Sequence, residues 1–101
     1  MNIWIDDERE APENWLWLQN SEEALTLLDQ LKFREVPVEV ISFDHDLGGE
    51  DTTRRIATWM IEHDFWPEEI RIHSANFVGR EWLQGTFNRY APESVKLSWN
   101  F

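Results

Sequence analysis

With 101 residues, 20 acidic against nine basic side chains and a formal charge of −11, the chain is the size of one domain and too acidic for a broad grip on nucleic-acid backbone. The absence of cysteine excludes disulfides, thiolate metal sites and a Cys nucleophile. No apolar run approaches a membrane span, and Met1-Asn2-Ile3-Trp4 lacks the basic start of a signal peptide, so a cytoplasmic protein (host cytoplasm if viral) is expected.

Residues Asn2 to Ile5 read as a short strand, with Ile3 and Ile5 on one face and Asn2 and Trp4 on the other. It ends in Asp6-Asp7-Glu8-Arg9, a cluster of acids at a strand's carboxyl end. From Glu8 to Asn14 the chain is polar and contains Pro12, which leaves no room for a full helix before the apolar tetrapeptide Trp15-Leu16-Trp17-Leu18, a second strand. Asn20-Ser21-Glu22-Glu23 is a helix start, with Asn20 or Ser21 as N-cap and acids in the first turn. Ala24, Leu25, Leu27, Leu28 and Leu31 give that helix an apolar face to about Lys32, and Pro37 separates it from the next apolar run.

Val38 to Phe43 is β-branched and aromatic, the composition of a third strand. Asp44, His45, Asp46, Leu47 and a glycine pair stand at its end. Continued alternation points Asp44 and Asp46 one way and His45 the other. Burying even one unpaired carboxylate costs several kcal/mol in order of magnitude, so packing alone does not account for acids there. Carboxyl ends of strands are also where open α/β sheets bind ligands.

After Gly49, Asp51 or Thr52 is expected to cap a second helix to about His63, with Ile56, Trp59 and Met60 inward and Arg54 and Arg55 in the first turn. Cations are unfavourable at that end of the helix dipole, so they are expected to answer to carboxylates or to a bound anion. Glu69 to His73 reads as a fourth strand, ending in the polar cluster His73-Ser74-Ala75-Asn76. A third helix, about Val78 to Tyr90, carries Arg80 in its first turn. Ser94 to Phe101 alternates as a half-exposed last strand, with Val95, Leu97, Trp99 and Phe101 on one face.

The order β-β-α-β-α-β-α-β predicts one α/β domain over residues 1–101, a mostly parallel five-stranded sheet with three main helices and right-handed crossovers. The clean polar face of the last two strands, with no helix after the final one, places the helices on one face only. The other face, bearing Trp4, is then either wet or the seat of a homodimer, which sedimentation at micromolar concentration distinguishes. Seven tryptophans and six phenylalanines are expected to supply this core rather than to stack on bases.

Acids after the first strand, an Asp after the third and a Ser after the fourth resemble the receiver domains of two-component signalling. The resemblance implies a flavodoxin-like fold, Mg²⁺ (or Mn²⁺) held near Asp6 and Asp7, a phosphoryl-accepting Asp44, and a phosphoryl contact from Ser74. Three ordered stretches are closer still to a variant group of bacteria and phages, the cyclic-phosphate processing receiver domains. They are Ile5-Asp6-Asp7-Glu8-Arg9, Ser42-Phe43-Asp44-His45-Asp46-Leu47-Gly48, and His73-Ser74-Ala75-Asn76 followed by Gly79-Arg80. Departures from ordinary receivers are the helices missing after the first and fifth strands, and Lys96 followed by Leu97 rather than Pro. Two histidines near the site are foreign to a phosphoryl switch, which disfavours Asp44 as an acceptor.

The expected chemistry is hydrolysis of a cyclic or terminal phosphate on a nucleotide or RNA end. His45 and His73, Asp44 with them, would be the catalytic groups, since imidazole titrates near neutrality and neighbouring strands could bring both rings to one site. Asp6, Asp7, Asp44 and Asp46 would hold the cation, with Asp46 alternatively orienting His45. Arg80 is the expected phosphate clamp, assisted by Ser74 and Asn76, with Arg9 and Arg54 as further candidates. His63, isolated near a helix end, reads as structural. The competing class is a non-catalytic receiver-like module that binds a phosphorylated or cyclic nucleotide, or a partner protein.

Overall fold

In a computed structural model, in which residues 1–99 are described, the chain forms β1 (Asn2–Ile5), β2 (Leu16–Leu18), α1 (Ser21–Phe33), β3 (Val40–Phe43), α2 (Arg54–His63), β4 (Glu69–Ile72), α3 (Phe77–Tyr90) and β5 (Lys96–Ser98). All five strands join one sheet in the order β2-β1-β3-β4-β5, and every pairing is parallel. The sheet is therefore fully parallel where the alternation required only that it be mostly so. The strand expected over residues 94–101 is shorter, beginning at Lys96; Asn100 and Phe101 lie outside the described residues.

Each connection that carries a helix steps toward the β5 edge, and right-handed crossovers then put all three helices on the same face. Accordingly α2 packs against both α1 and α3. Under this layer lie Ile3, Ile5, Ile41, Phe43, Ile70 and Ile72, which alternate inward along the three central strands, and Ala24, Leu28, Ile56, Met60, Leu83 and Phe87 come down from the helices. Burial of each such large side chain contributes about 1.5–3 kcal/mol. Phe43 and Phe87 are fully buried, with ring centroids 5.2 Å apart, so part of the aromatic content is core as expected.

The first step, β1 to β2, runs the other way and carries no helix. The opposite sheet face keeps the alternate residues Trp4, Trp17, Ser42, Arg71 and Ser98, in register across the strands. Trp15 stands edge-on to Trp4, with centroids 6.0 Å apart, and Arg71 lies over the Trp15 ring. Among the described residues no helix covers this face, and no helix is long and apolar enough to cross a membrane.

One helix cap is as the sequence leads us to expect, and the other differs. α1 is capped by Asn20, whose Oδ1 accepts from Glu23 N at 2.8 Å. Asp51 does not cap α2; its carboxylate reaches across the fold to accept from the backbone and hydroxyl of Ser21 at 2.9 and 2.6 Å, so it anchors the start of α1. The N-cap of α2 is Thr53, and its hydroxyl donates to Asp44 O at 2.7 Å instead of to its own helix. Arg55 donates to Ser21 Oγ and thereby joins the same tie.

Candidate functional site

The ladder continues one residue past three strand ends. Asp6 N donates to Leu18 O, Asp44 N to Ile5 O and His73 N to Phe43 O, at 3.0, 2.9 and 2.9 Å. These bonds bring the three polar clusters of the sequence to one carboxyl edge of the sheet. An open, polar cavity of about 500 Å³ sits there, lined by residues 6–9, Asp44, Asp46, Gly48, Gly49 and residues 74–76.

Asp6, Asp7 and Asp44 each offer a carboxylate oxygen into a group whose atoms lie within 4.8 Å of one another. Hard oxygen donors in such a cluster suit Mg²⁺ or Mn²⁺. Burial raises the Asp44 carboxyl above its usual range, and the Asp6 charge adds to that, the crowding of like charge that a divalent cation relieves. The residues therefore fit the cation that the sequence implied. Gly48 permits the approach: its φ is +90°, and a Cβ there would stand 3.2 Å from Asp7 Oδ2.

Asp6 is held on every side. Its Oδ1 accepts from the backbone of Glu8 and Arg9 at 2.9 and 2.8 Å, and its Oδ2 lies 3.1 Å from His73 Nε2. Two indoles pin the loop from the uncovered face, Trp17 donating to Asp6 O and Trp4 to Arg9 O, at 2.7 and 2.9 Å. Asp46 is oriented by Asn76, whose Nδ2 donates to Asp46 Oδ2 at 2.9 Å while its Oδ1 caps α3 through Gly79 N. That amide, with His45, holds the Asp46 carboxyl below its usual range. Ser74 is buried, bonds Asp44 and accepts from Asn76 N.

The two histidines do not share a site, and neither lines the acidic cavity. His45 follows the parity of Ile41 and Phe43 into the helical layer and is 5 % exposed. Its Nε2 accepts from Arg54 Nε at 2.8 Å, which leaves Nδ1 to donate to Asp46 Oδ1 at 3.1 Å. Of the two roles expected for Asp46, the structure displays the contact with His45. Helix α3 passes directly over this ring, since a Cβ at Gly79 would fall 2.3 Å from His45 Cγ.

His73 takes the opposite parity, on the uncovered face. Its ring stacks on Trp4 at 3.6 Å and 5°, and its Nδ1 lies 2.7 Å from Ser42 Oγ. With Asp6 ionised, Nε2 carries the proton and Ser42 donates to Nδ1. Burial lowers the His73 pKa to about 4, against the raising effect of Asp6, so the ring is neutral at physiological pH.

Of the arginines, Arg9 lines the cavity, and its Nη1 donates to His73 O at 3.3 Å. Arg54 turns to His45 and lies 4.8 Å over the Trp82 ring, and Arg80 lies 5.7 Å over Phe77. Neither of the latter two lines the cavity. His63 stacks on Trp59 and bonds its carbonyl, as a structural residue does. Sequence reasoning missed Ser42, Trp4, Trp17 and Gly79 as supports of the site. Shared strand parity was the available signal for Ser42, Trp4 and His73.

The model of the cyclic-phosphate processing receiver domain matches residues 1–89, and the chain belongs to that family. No curated protein and no solved structure matches it significantly.

Proposed function

We propose that this member of the cyclic-phosphate processing receiver family is a metal-dependent phosphoesterase that opens a cyclic phosphate, or removes a terminal one, on a nucleotide or RNA end. The observation that carries the reading is the convergence of Asp6, Asp7 and Asp44 within 4.8 Å at the mouth of a polar cavity. A divalent cation held by these carboxylates would neutralise charge on the phosphoryl oxygens. Arg9 and Asn76 line the same cavity and keep N–H groups beyond those given to His73 O and Asp46 for the remaining phosphate oxygens, and the Ser74 hydroxyl would turn to them from Asp44. In ring opening, the oxygen of water bonds to phosphorus, one ring P–O bond breaks, and the leaving oxygen ends with a proton from that water.

His73 acts in this scheme through Asp6 and His45 through Asp46; both are positioning residues. Cyclic nucleotides with 2′,3′ and 3′,5′ rings, offered with Mg²⁺, with Mn²⁺ and with chelator, test the reading by phosphorus NMR. Ring opening that stops on chelation and in D44N is expected. An unchanged phosphorus spectrum in every mixture would overturn it.

A second reading, a module that binds a phosphorylated or cyclic nucleotide without turning it over, is favoured by the one fact that no imidazole lines the acidic cavity. It predicts a ligand-induced rise in melting temperature with no new phosphorus signal.

A further inference from the structure

We infer that Phe77, with Arg80 over its ring, is a stacking platform for the base of a nucleoside phosphate; the inference rests on the acidic cavity being a phosphate site and assigns the residue that takes the base. The helix α3 turns Gly79, Leu83 and Phe87 into the core, but Phe77 and Val78 remain 62 % and 65 % exposed. The fold covers neither of these side chains. The cap of α3 is made by Asn76, and Phe77 has no part in the core cluster.

Its position relates it to the site. Phe77 directly follows Ala75 and Asn76, which form one rim of the acidic cavity. Side chains on a helix lean toward its N-terminus, which here is toward that rim. The Arg80 guanidinium lies over the phenyl ring, 5.7 Å from its centroid. An aromatic side chain with two rotatable bonds loses little freedom when a second flat group lands on it.

The lining of the cavity contains no aromatic side chain on which a base could stack. A base stacked on Phe77 would supply affinity that the acidic walls do not. Stacking tolerates any of the bases, so the platform selects nucleosides over base-free sugars without choosing among them.

The test compares a nucleoside 2′,3′-cyclic phosphate with methyl riboside 2′,3′-cyclic phosphate, which has the same phosphate ring and no base. The wild-type protein is expected to show a lower KM for the nucleoside. F77A is expected to shrink that preference roughly tenfold, in line with the loss of one base–aromatic stack, and F77W to restore it. Absence of a preference in the wild type, or a preference that F77A leaves intact, overturns the inference. If neither compound is turned over, the phosphoesterase reading fails separately. The platform is then read from equilibrium binding of adenosine 3′-monophosphate against methyl riboside 3-phosphate, to wild type and F77A, with the same two overturning outcomes.

Discussion

His73 and Asp6, 67 residues apart in the chain, meet at 3.1 Å with the imidazole aimed at the carboxylate from the face of the sheet that no helix covers. The histidine is held in turn by Ser42 and by the Trp4 ring. A carboxylate that binds a cation gains direction from such a partner, and loss of one typically lowers metal affinity ten- to a hundred-fold, in order of magnitude. H73A and S42A are expected to weaken Mn²⁺ binding, measured by calorimetry, with S42A the milder. Unaltered affinity in H73A would separate the histidine from the cation site.

Crowded carboxylates repel when nothing neutralises them. With chelator present, D44N is expected to raise the melting temperature, since it removes one of three like charges. With millimolar Mg²⁺ the order should reverse, because the wild type alone gains binding energy on folding. A lower melting temperature for D44N in chelator would show that the Asp44 hydrogen bonds outweigh the repulsion.

Helix α3 crosses His45 at Gly79 with no room for a side chain between them. G79A places a methyl group 2.3 Å from the imidazole, and both lie between packed elements. Overpacking of this kind costs about 1–3 kcal/mol, and each kcal/mol lowers the melting temperature of a domain this size by roughly 4–8 °C. H45A in the G79A background should recover part of the loss, because it vacates the space. An additive double variant would locate the strain elsewhere.

Acid sensitivity follows from His73. Its folded pKa of about 4 lies below the unfolded 6.5, so between these values the unfolded chain binds a proton that the native chain does not. Its contribution is complete above about pH 6.5 and is lost progressively as the pH falls toward 4. Urea melts in chelator should show a steeper fall of stability over that window for wild type than for H73Q. Parallel profiles would mean that the ring stays accessible to protons in the native state.

Much of this architecture is legible in the residues. Alternating Ile3 and Ile5, Ile70 and Ile72 declare the buried side of the sheet, and the acids after β1 and β3, with Ser74 and Asn76 after β4, declare its working edge. The same alternation separates His45 from His73, since residues 41, 43 and 45 share one parity and 42, 71 and 73 lie on the other face. Proximity of strand ends in the topology suggested a shared site; the sidedness of the sheet forbids it. Asp51 was unreadable for a different reason. Its partner Ser21 is 30 residues away, and local propensity favours a cap on the nearer helix.

Because β1 pairs with β3 and the chain runs through β2 and α1 between them, no hairpin contains the acidic cluster, and the shortest stretch that holds it runs from Asp6 to Asp44. Asp6 and Asp7 meet Asp44 only after a long loop has closed and a non-local parallel pairing has formed, which is the slow kind of event in folding. The cluster is thus an all-or-none property of the native state. A substitution deep under α1 or α2 that unfolds a fraction of the molecules removes the same fraction of sites, and leaves those that remain unchanged.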